Sequence, residues 1–158
     1  MGLVASSKMR RSNERMQGGR QYLSAFEDVV DVLTACPECA GSPYMRQTDG
    51  KRTRLIVIAG DRGLAGGYNA NVFRALREYE DVDIIPIGKR ACDRFHGELC
   101  RAEGFDAREA LGLSLDLCRK FREGEYSRVG ILGTRYLSML SQQPDVRWVL
   151  PLTKSEEG

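Results

Sequence analysis

Apolar residues recur every seven positions along the first part of the chain. Met9, Met16, Leu23 and Val30 form one set, and a second set (Ala5, Ser12, Gly19, Phe26, Leu33) runs three positions behind it. This a/d heptad predicts one long helix from residue 2 to about 34. The small residues in the N-terminal half of the second set leave room for a partner helix to approach closely. At a rise of 1.5 Å per residue the helix would be roughly 48 Å long. A compact domain of this size does not need that length, so part of the helix is expected to project. Gly18-Gly19 is a weak point, costing about 1 kcal/mol per glycine relative to alanine, and a candidate kink. No second heptad of comparable length occurs in the chain, so the seam is expected either to disorder or to pair with another copy.

The periodicity then changes. Residues 35–52 carry Pro37, Gly41, Ser42, Pro43, Asp49 and Gly50 and read as a loop. Arg54–Ala59 is an apolar run that predicts a central strand buried on both faces. Asn69 or Asn71 can open a helix that continues through Phe73, Leu76 and Tyr79. Val82–Ile87 is the next strand, with Pro86 near its end, where a lost ladder bond costs least. Residues 88–98 predict a short helix, and about 106–122 a longer one carrying Leu111, Leu113, Leu115, Leu117 and Phe121. Tyr126–Leu132 is a third strand. Beyond it, Thr134, Tyr136 and Leu137 can extend the strand, Gln142, Gln143 and Pro144 predict a turn, and Val146–Leu152 a returning strand. The tail TKSEEG is polar and expected to fray. Strands alternating with helices predict right-handed βαβ units and an α/β fold: a three-layer, Rossmann-like domain with a mostly parallel sheet, preceded by the long helix. The divisions are a partial coiled-coil helix at 1–34, a loop at 35–52, an α/β domain at 53–152 and a polar tail at 153–158.

Composition narrows the function classes. The 158 residues are 42% hydrophobic and 29% charged, ordinary for a globular chain with a real core. The net charge of +2 is too small to imply nucleic-acid or membrane binding by bulk electrostatics. Charge is uneven, however: Lys8, Arg10, Arg11, Arg15 and Arg20 face only Glu14 in the first twenty residues. That pattern fits a solvated helix face or a surface that meets an acidic partner. No apolar run is long enough to span a membrane, and the N-terminus lacks the apolar core of a secretory signal. Five cysteines without such a signal imply free thiols in a reducing compartment.

Three constellations could carry chemistry. Gly60, Gly63, Gly66 and Gly67 lie between a strand and a helix, where backbone N–H groups can cradle phosphate. A Walker A loop needs a lysine and a hydroxyl after its last glycine, but Tyr68 and Asn69 follow Gly67. The spacing Gly60-x-x-Gly63-x-x-Gly66 also misses the dinucleotide fingerprint. The glycines then serve positive φ and close strand–helix contact, with a phosphoryl-ligand module as the alternative. Cys36-Pro37-Glu38-Cys39 is a C-x-x-C placed after a helix rather than before one, unlike thioredoxin-type sites. With Cys92 and His96 it could form a zinc cluster; otherwise these are incidental thiols, with Cys118 in the core. Cys92, His96 and Cys100 are placed on one face of a helix by their spacing. His96 is the only histidine, and no nucleophile motif or carboxylate pair accompanies it.

Three segments in order carry a family resemblance. Residues 1–16 (MGLVASSKMRRSNERM) resemble the N-terminal helix of the gamma subunit of F-type ATP synthases. Val57–Val72, with Asp61-Arg62-Gly63-Leu64 and Gly66-Gly67-x-Asn69-x-Asn71, is similar to that family's most specific motif. Val129–Leu152, with Ser141-Gln142-x-Pro144 and Leu150-Pro151-Leu152, resembles its last middle-domain strands. The resemblance covers essentially the whole chain. It implies a central-stalk rotor subunit that transmits torque between the membrane ring and the alpha/beta hexamer, with no catalytic residue, metal, cofactor or direct small-molecule ligand of its own. Its implied partners are the alpha, beta and epsilon subunits and the membrane c-ring, at the cytoplasmic face of a bacterial plasma membrane and peripheral to it; nucleic acid is not among them. The residues expected at subunit interfaces are Lys8, Arg10, Arg11, Asp61, Arg62, Gly63, Gly66, Gly67 and Asn69. Against the family's pattern, the initial residues and the long C-terminal helix are absent, so the expectation is a shaft truncated at both ends. Cys36 and Cys39 match no family pattern.

Overall fold

The computed structural model describes residues 2–47, 52–63, 67–138 and 140–155. The chain forms two units: residues 1–42 with 152–158, and residues 43–151.

In the first unit the heptad segment is a single helix, α1 (Gly2–Ala35), of 34 residues. It runs through Gly18-Gly19 without interruption. No residue of α1 is buried. Its C-terminal half presents Tyr22, Phe26, Val29 and Leu33 at i, i+4, i+7 and i+11, all exposed, with Phe26 52% exposed. That spacing is one helical stripe. The helix ends where Cys36 N–H bonds Leu33 O at 3.2 Å, and a 3-10 turn follows at Pro37–Cys39. The tail does not fray at Ser155. The Asp31 carboxylate accepts from the Ser155 backbone N–H at 2.7 Å and from its hydroxyl at 2.6 Å. The hydroxyl first, then the N–H, holds Asp31 below the usual carboxylate range, with Lys154 adding to the effect and burial opposing it. A polar tail lacks apolar anchoring but can still be tied by charge-assisted bonds, which hydropathy alone does not reveal. The remaining tail residues 156–158 lie outside the described residues.

The second unit is built on a four-stranded sheet in the order β2-β1-β3-β4. These strands are β1 (Thr53–Ile58), β2 (Val82–Ile87), β3 (Arg128–Ser138) and β4 (Ser141–Leu150). β1 is central, parallel to β2 on one side and to β3 on the other. Only β4 is antiparallel, paired with β3. The sheet is therefore the mostly parallel, Rossmann-like sheet expected from β–α alternation, made mixed by its last strand. The helices are α2 (Tyr68–Ala75), α3 (Lys89–Phe95) and α4 (Ala107–Arg122). Leu55, Val57, Val72 and Leu132 form a fully buried cluster, and Phe73, Leu76 and Phe95 pack against it. α4 turns Leu117 and Phe121 inward and leaves Leu111 and Leu115 exposed. Its first turn is fixed by a capping box in which the Asp106 carboxylate accepts from Glu109 N–H at 2.9 Å.

Two local expectations are corrected. Gln142, Gln143 and Pro144 are not a turn: they lie in β4, with Pro144 opposite Thr134. β4 is an edge strand, where a missing N–H need not break a ladder, and Gln142 and Gln143 are both exposed on it. The strands instead reverse beyond the pair Ser138–Ser141. α3 ends at Phe95, because His96 adopts a left-handed conformation (φ 54°). Cys100 therefore does not continue the helical face of Cys92.

Trp148 lies opposite Gly130 near one end of the β3–β4 ladder. The Arg128 guanidinium stands 4.0 Å from its ring centroid, and Tyr79 meets it edge-on at 5.9 Å. Arg128 Nε also donates to Thr53 Oγ1 at 3.0 Å. Gly130 permits this packing: a Cβ there would lie 2.8 Å from Trp148 Cε3 and 3.0 Å from Leu55 Cδ2.

Candidate functional site

β1 delivers the chain to the carboxyl end of the sheet, where β2 and β3 flank it. This is the point at which connections diverge to opposite sides in an open α/β sheet. The turn that follows is held by side chains of its own sequence. Ala59 N–H donates to Ile87 O at 2.9 Å. Asn69, in the first turn of α2, accepts from Gly60 N–H through Oδ1 at 2.8 Å and donates through Nδ2 to Arg62 O at 3.2 Å. Asn69 thus does not cap α2, as asparagine at a helix start suggests. The N-cap is Gly67, and the Asn69 amide reaches back to close the turn.

Asp61 is the hub. Its Oδ1 accepts from Lys89 N–H at 2.9 Å and Ala102 N–H at 2.8 Å, and its Oδ2 from Glu103 N–H at 3.1 Å. Burial pushes this carboxyl up. The three backbone donors and the nearby Arg101 outweigh it, so the group sits below the ordinary carboxylate range. Three converging N–H groups make an anion cradle of the kind glycine turns offer to phosphate, and the chain's own carboxylate occupies it.

The remaining turn residues follow from close approach. The Arg90 guanidinium lies where a Gly63 side chain would be, and Arg90 N–H donates to Gly60 O at 3.1 Å. Gly88 has φ 95°, and any Cβ would run into the carbonyl oxygen of Ala59. Arg62 and Gly67 are exposed. A shallow depression of about 280 Å³ beside the turn is lined by Gly67, Tyr68, Asn71, Thr134 and Gln142, and its lining carries no charged side chain.

The structure thus brings Asp61, Gly63 and Asn69 into one bonded turn, with Arg62 and Gly67 on its surface. Gly66 lies outside the described residues. Lys8, Arg10 and Arg11 belong to the other unit, exposed along α1. Sequence reasoning missed Arg90 and the 101–103 loop, which complete the turn from 27 to 42 residues away. The one available signal was a lone aspartate in a glycine turn, a group that needs donors. All five cysteines are free. Among the described residues no group of three His, Cys, Asp or Glu side chains gathers to hold a metal.

A family described as ATP synthase matches residues 1–158. Over 171 aligned residues the chain is 32% identical to the "ATP synthase gamma chain, sodium ion specific" of Acetobacterium woodii, covering 99% of this chain and 56% of that protein. The chain thus spans about half the length of this curated relative. Among solved structures it is similar to the central stalk and c-ring of the Tetrahymena thermophila mitochondrial ATP synthase, with a TM-score of 0.66, 16% identity and coverage of 99% and 77% of the two chains. At that identity the likeness concerns the fold.

Proposed function

The chain belongs to the ATP synthase gamma-chain family, and we propose that it acts as a central-stalk rotor subunit of an F-type, proton-translocating ATP synthase. In this reading it transmits torque between the membrane ring and the catalytic alpha/beta hexamer and performs no bond chemistry itself. The observation that carries the reading is the family match along residues 1–158, which includes both the basic helix and the Asp61 turn.

Two features support a mechanical rather than a chemical role. The anion cradle at the glycine turn is filled by Asp61, so the turn is cross-braced instead of open to phosphate. The long helix offers an exposed apolar stripe, as a shaft helix needs where it meets a second helix. Partners on this reading are the alpha, beta and epsilon subunits and the c-ring. The contact residues are Lys8, Arg10 and Arg11 on α1, and Asp61, Arg62, Gly63, Gly66, Gly67 and Asn69 at the turn. No described helix is long and apolar enough to cross a membrane. The protein would reach the membrane through the complex, at the cytoplasmic face of a bacterial plasma membrane.

Reconstitution tests the proposal. A full-length gamma subunit carrying residues 43–151 of this chain in place of its own middle domain should assemble with alpha, beta, epsilon and the c-ring and restore ATP hydrolysis coupled to proton pumping. Failure to assemble under any condition would sink the reading. Calorimetry with ATP and inorganic phosphate checks the phosphoryl-ligand alternative: micromolar binding abolished by Arg62→Ala would favour it over the rotor.

A further inference from the structure

The rotor reading leaves Cys36-Pro37-Glu38-Cys39 without a role, yet the fold closes the two cysteines into one turn. α1 ends at Ala35, and Cys36 enters a 3-10 turn that spans Pro37–Cys39. Cys39 N–H bonds Cys36 O at 3.1 Å, and Ser42 N–H bonds Cys39 O at 2.9 Å. A turn closed in this way keeps its first and fourth Cα atoms within about 7 Å, close to the roughly 4.4–6.8 Å that a disulfide bridges. Pro37 fixes one φ inside the turn, so little ordering remains to be lost on closure. The neighbouring Cys36 side chain raises the Cys39 thiol above its ordinary value, and burial adds to the effect. Both residues are free and partly exposed, so a small reagent can reach them.

We propose that Cys36 and Cys39 form a reversible dithiol–disulfide site, closed by exchange with a low-molecular-weight disulfide. One cysteine thiolate attacks a sulfur of the reagent, forming a mixed disulfide and releasing one thiol. The second cysteine attacks the protein sulfur of that mixed disulfide, forming the Cys36–Cys39 bond and releasing a second thiol. The two S–H bonds of the protein are replaced by one S–S bond, and the reagent takes up two electrons and two protons.

The surroundings decide what kind of site this is. Redox catalysts place C-x-x-C at a helix N-terminus, whose positive end stabilises the thiolate and makes the disulfide oxidising. Here the motif follows a helix C-terminus, whose partial charge is negative. The charged group bonded to the pair is the Glu38 carboxylate, which accepts from the Cys36 thiol at 3.6 Å. The motif thus lacks the helix N-terminus that makes such a disulfide oxidising, and the disulfide is a clip on the chain's exit from α1 rather than an oxidant for other proteins. The inference rests on the local turn and is independent of the rotor reading.

The test uses the full chain, reduced and then equilibrated with mixtures of glutathione and glutathione disulfide. The expected product loses about 2 Da, the two thiol hydrogens. Peptide mapping after alkylation should place the bond at 36–39, with Cys92, Cys100 and Cys118 all alkylated. The native chain should form the bond with an equilibrium constant several-fold above that of the urea-unfolded chain, and Cys39→Ser should stop at a glutathione adduct on Cys36. A bond to any other cysteine, no closure in oxidised mixtures, or equal closure in native and unfolded chain would overturn the proposal.

Discussion

Asp61 shows how one side chain can set the character of a site. Its carboxylate takes three backbone N–H bonds from two other segments, and its folded-state pKa is lowered. The sign of the linkage follows: the stabilisation is fully present above the unfolded value near about 3.9 and is lost as pH falls through the lower folded value. Asp61→Asn should therefore destabilise the protein by about 1–3 kcal/mol at neutral pH, and urea unfolding should show the gap to wild type narrowing below about pH 4. A gap unchanged down to pH 2 would remove the carboxylate from this role. Gly130 makes a second residue-scale case. Gly130→Ala forces a methyl against the Trp148 ring and Leu55 and should cost about 1–3 kcal/mol; thermal unfolding measures it, and an unchanged midpoint would show that the ring moves aside freely. Neither arrangement was legible in the sequence. The turn's glycines announced close packing, but the groups that fill the space, Arg90 and the 101–103 loop, arrive through tertiary folding, and local pattern carries no signal for them.

At the scale of elements the sequence was most readable where apolar residues recur regularly or run together. The central strand, Val82–Ile87 and α1 carry clear apolar periodicity, and each forms within a residue or two of its expected position. β4 was misread at its start because Gln142, Gln143 and Pro144 look like turn residues, and an edge strand needs neither alternating core residues nor every N–H. The length of α3 was overestimated because nothing in its sequence foretells a histidine in the left-handed region. The exposed stripe on α1 yields an element-scale prediction. With Phe26 and Leu33 uncovered, sedimentation at high protein concentration should show a species heavier than one chain. Phe26→Glu with Leu33→Glu should return it to a monomer. A strict monomer that keeps an ordered helix would contradict the expectation.

For the whole molecule, the basic N-terminal half of α1 and the turn of the α/β unit belong to separate units, and the rotor reading proposed above gives both a place in one assembly. On that reading, exposed charges contribute about 0.2–1 kcal/mol each, so replacing Lys8, Arg10 and Arg11 together by glutamate should weaken association with the alpha/beta hexamer roughly tenfold or more. The loss should shrink as salt rises, because exposed charges are screened beyond about 8 Å at physiological ionic strength. Equal binding of variant and parent at low salt would place these cations on a solvated face instead. That the family was recognisable while the bonding of its turn was not has a physical basis. Recognition needed only ordered short segments, whereas the turn depends on contacts up to 42 residues apart.

The Asp61 clasp also bears on how this unit opens. The amides of Lys89, Ala102 and Glu103 share a single acceptor group, so releasing that carboxylate exposes all three to solvent in one step. In hydrogen exchange they should behave as one cooperative opening, with matching protection factors, although they come from a helix start and a distant loop. A load applied at residues 60–63 would then reach the α3 start and the 101–103 loop together, as through a rivet and not a chain of separate hinges.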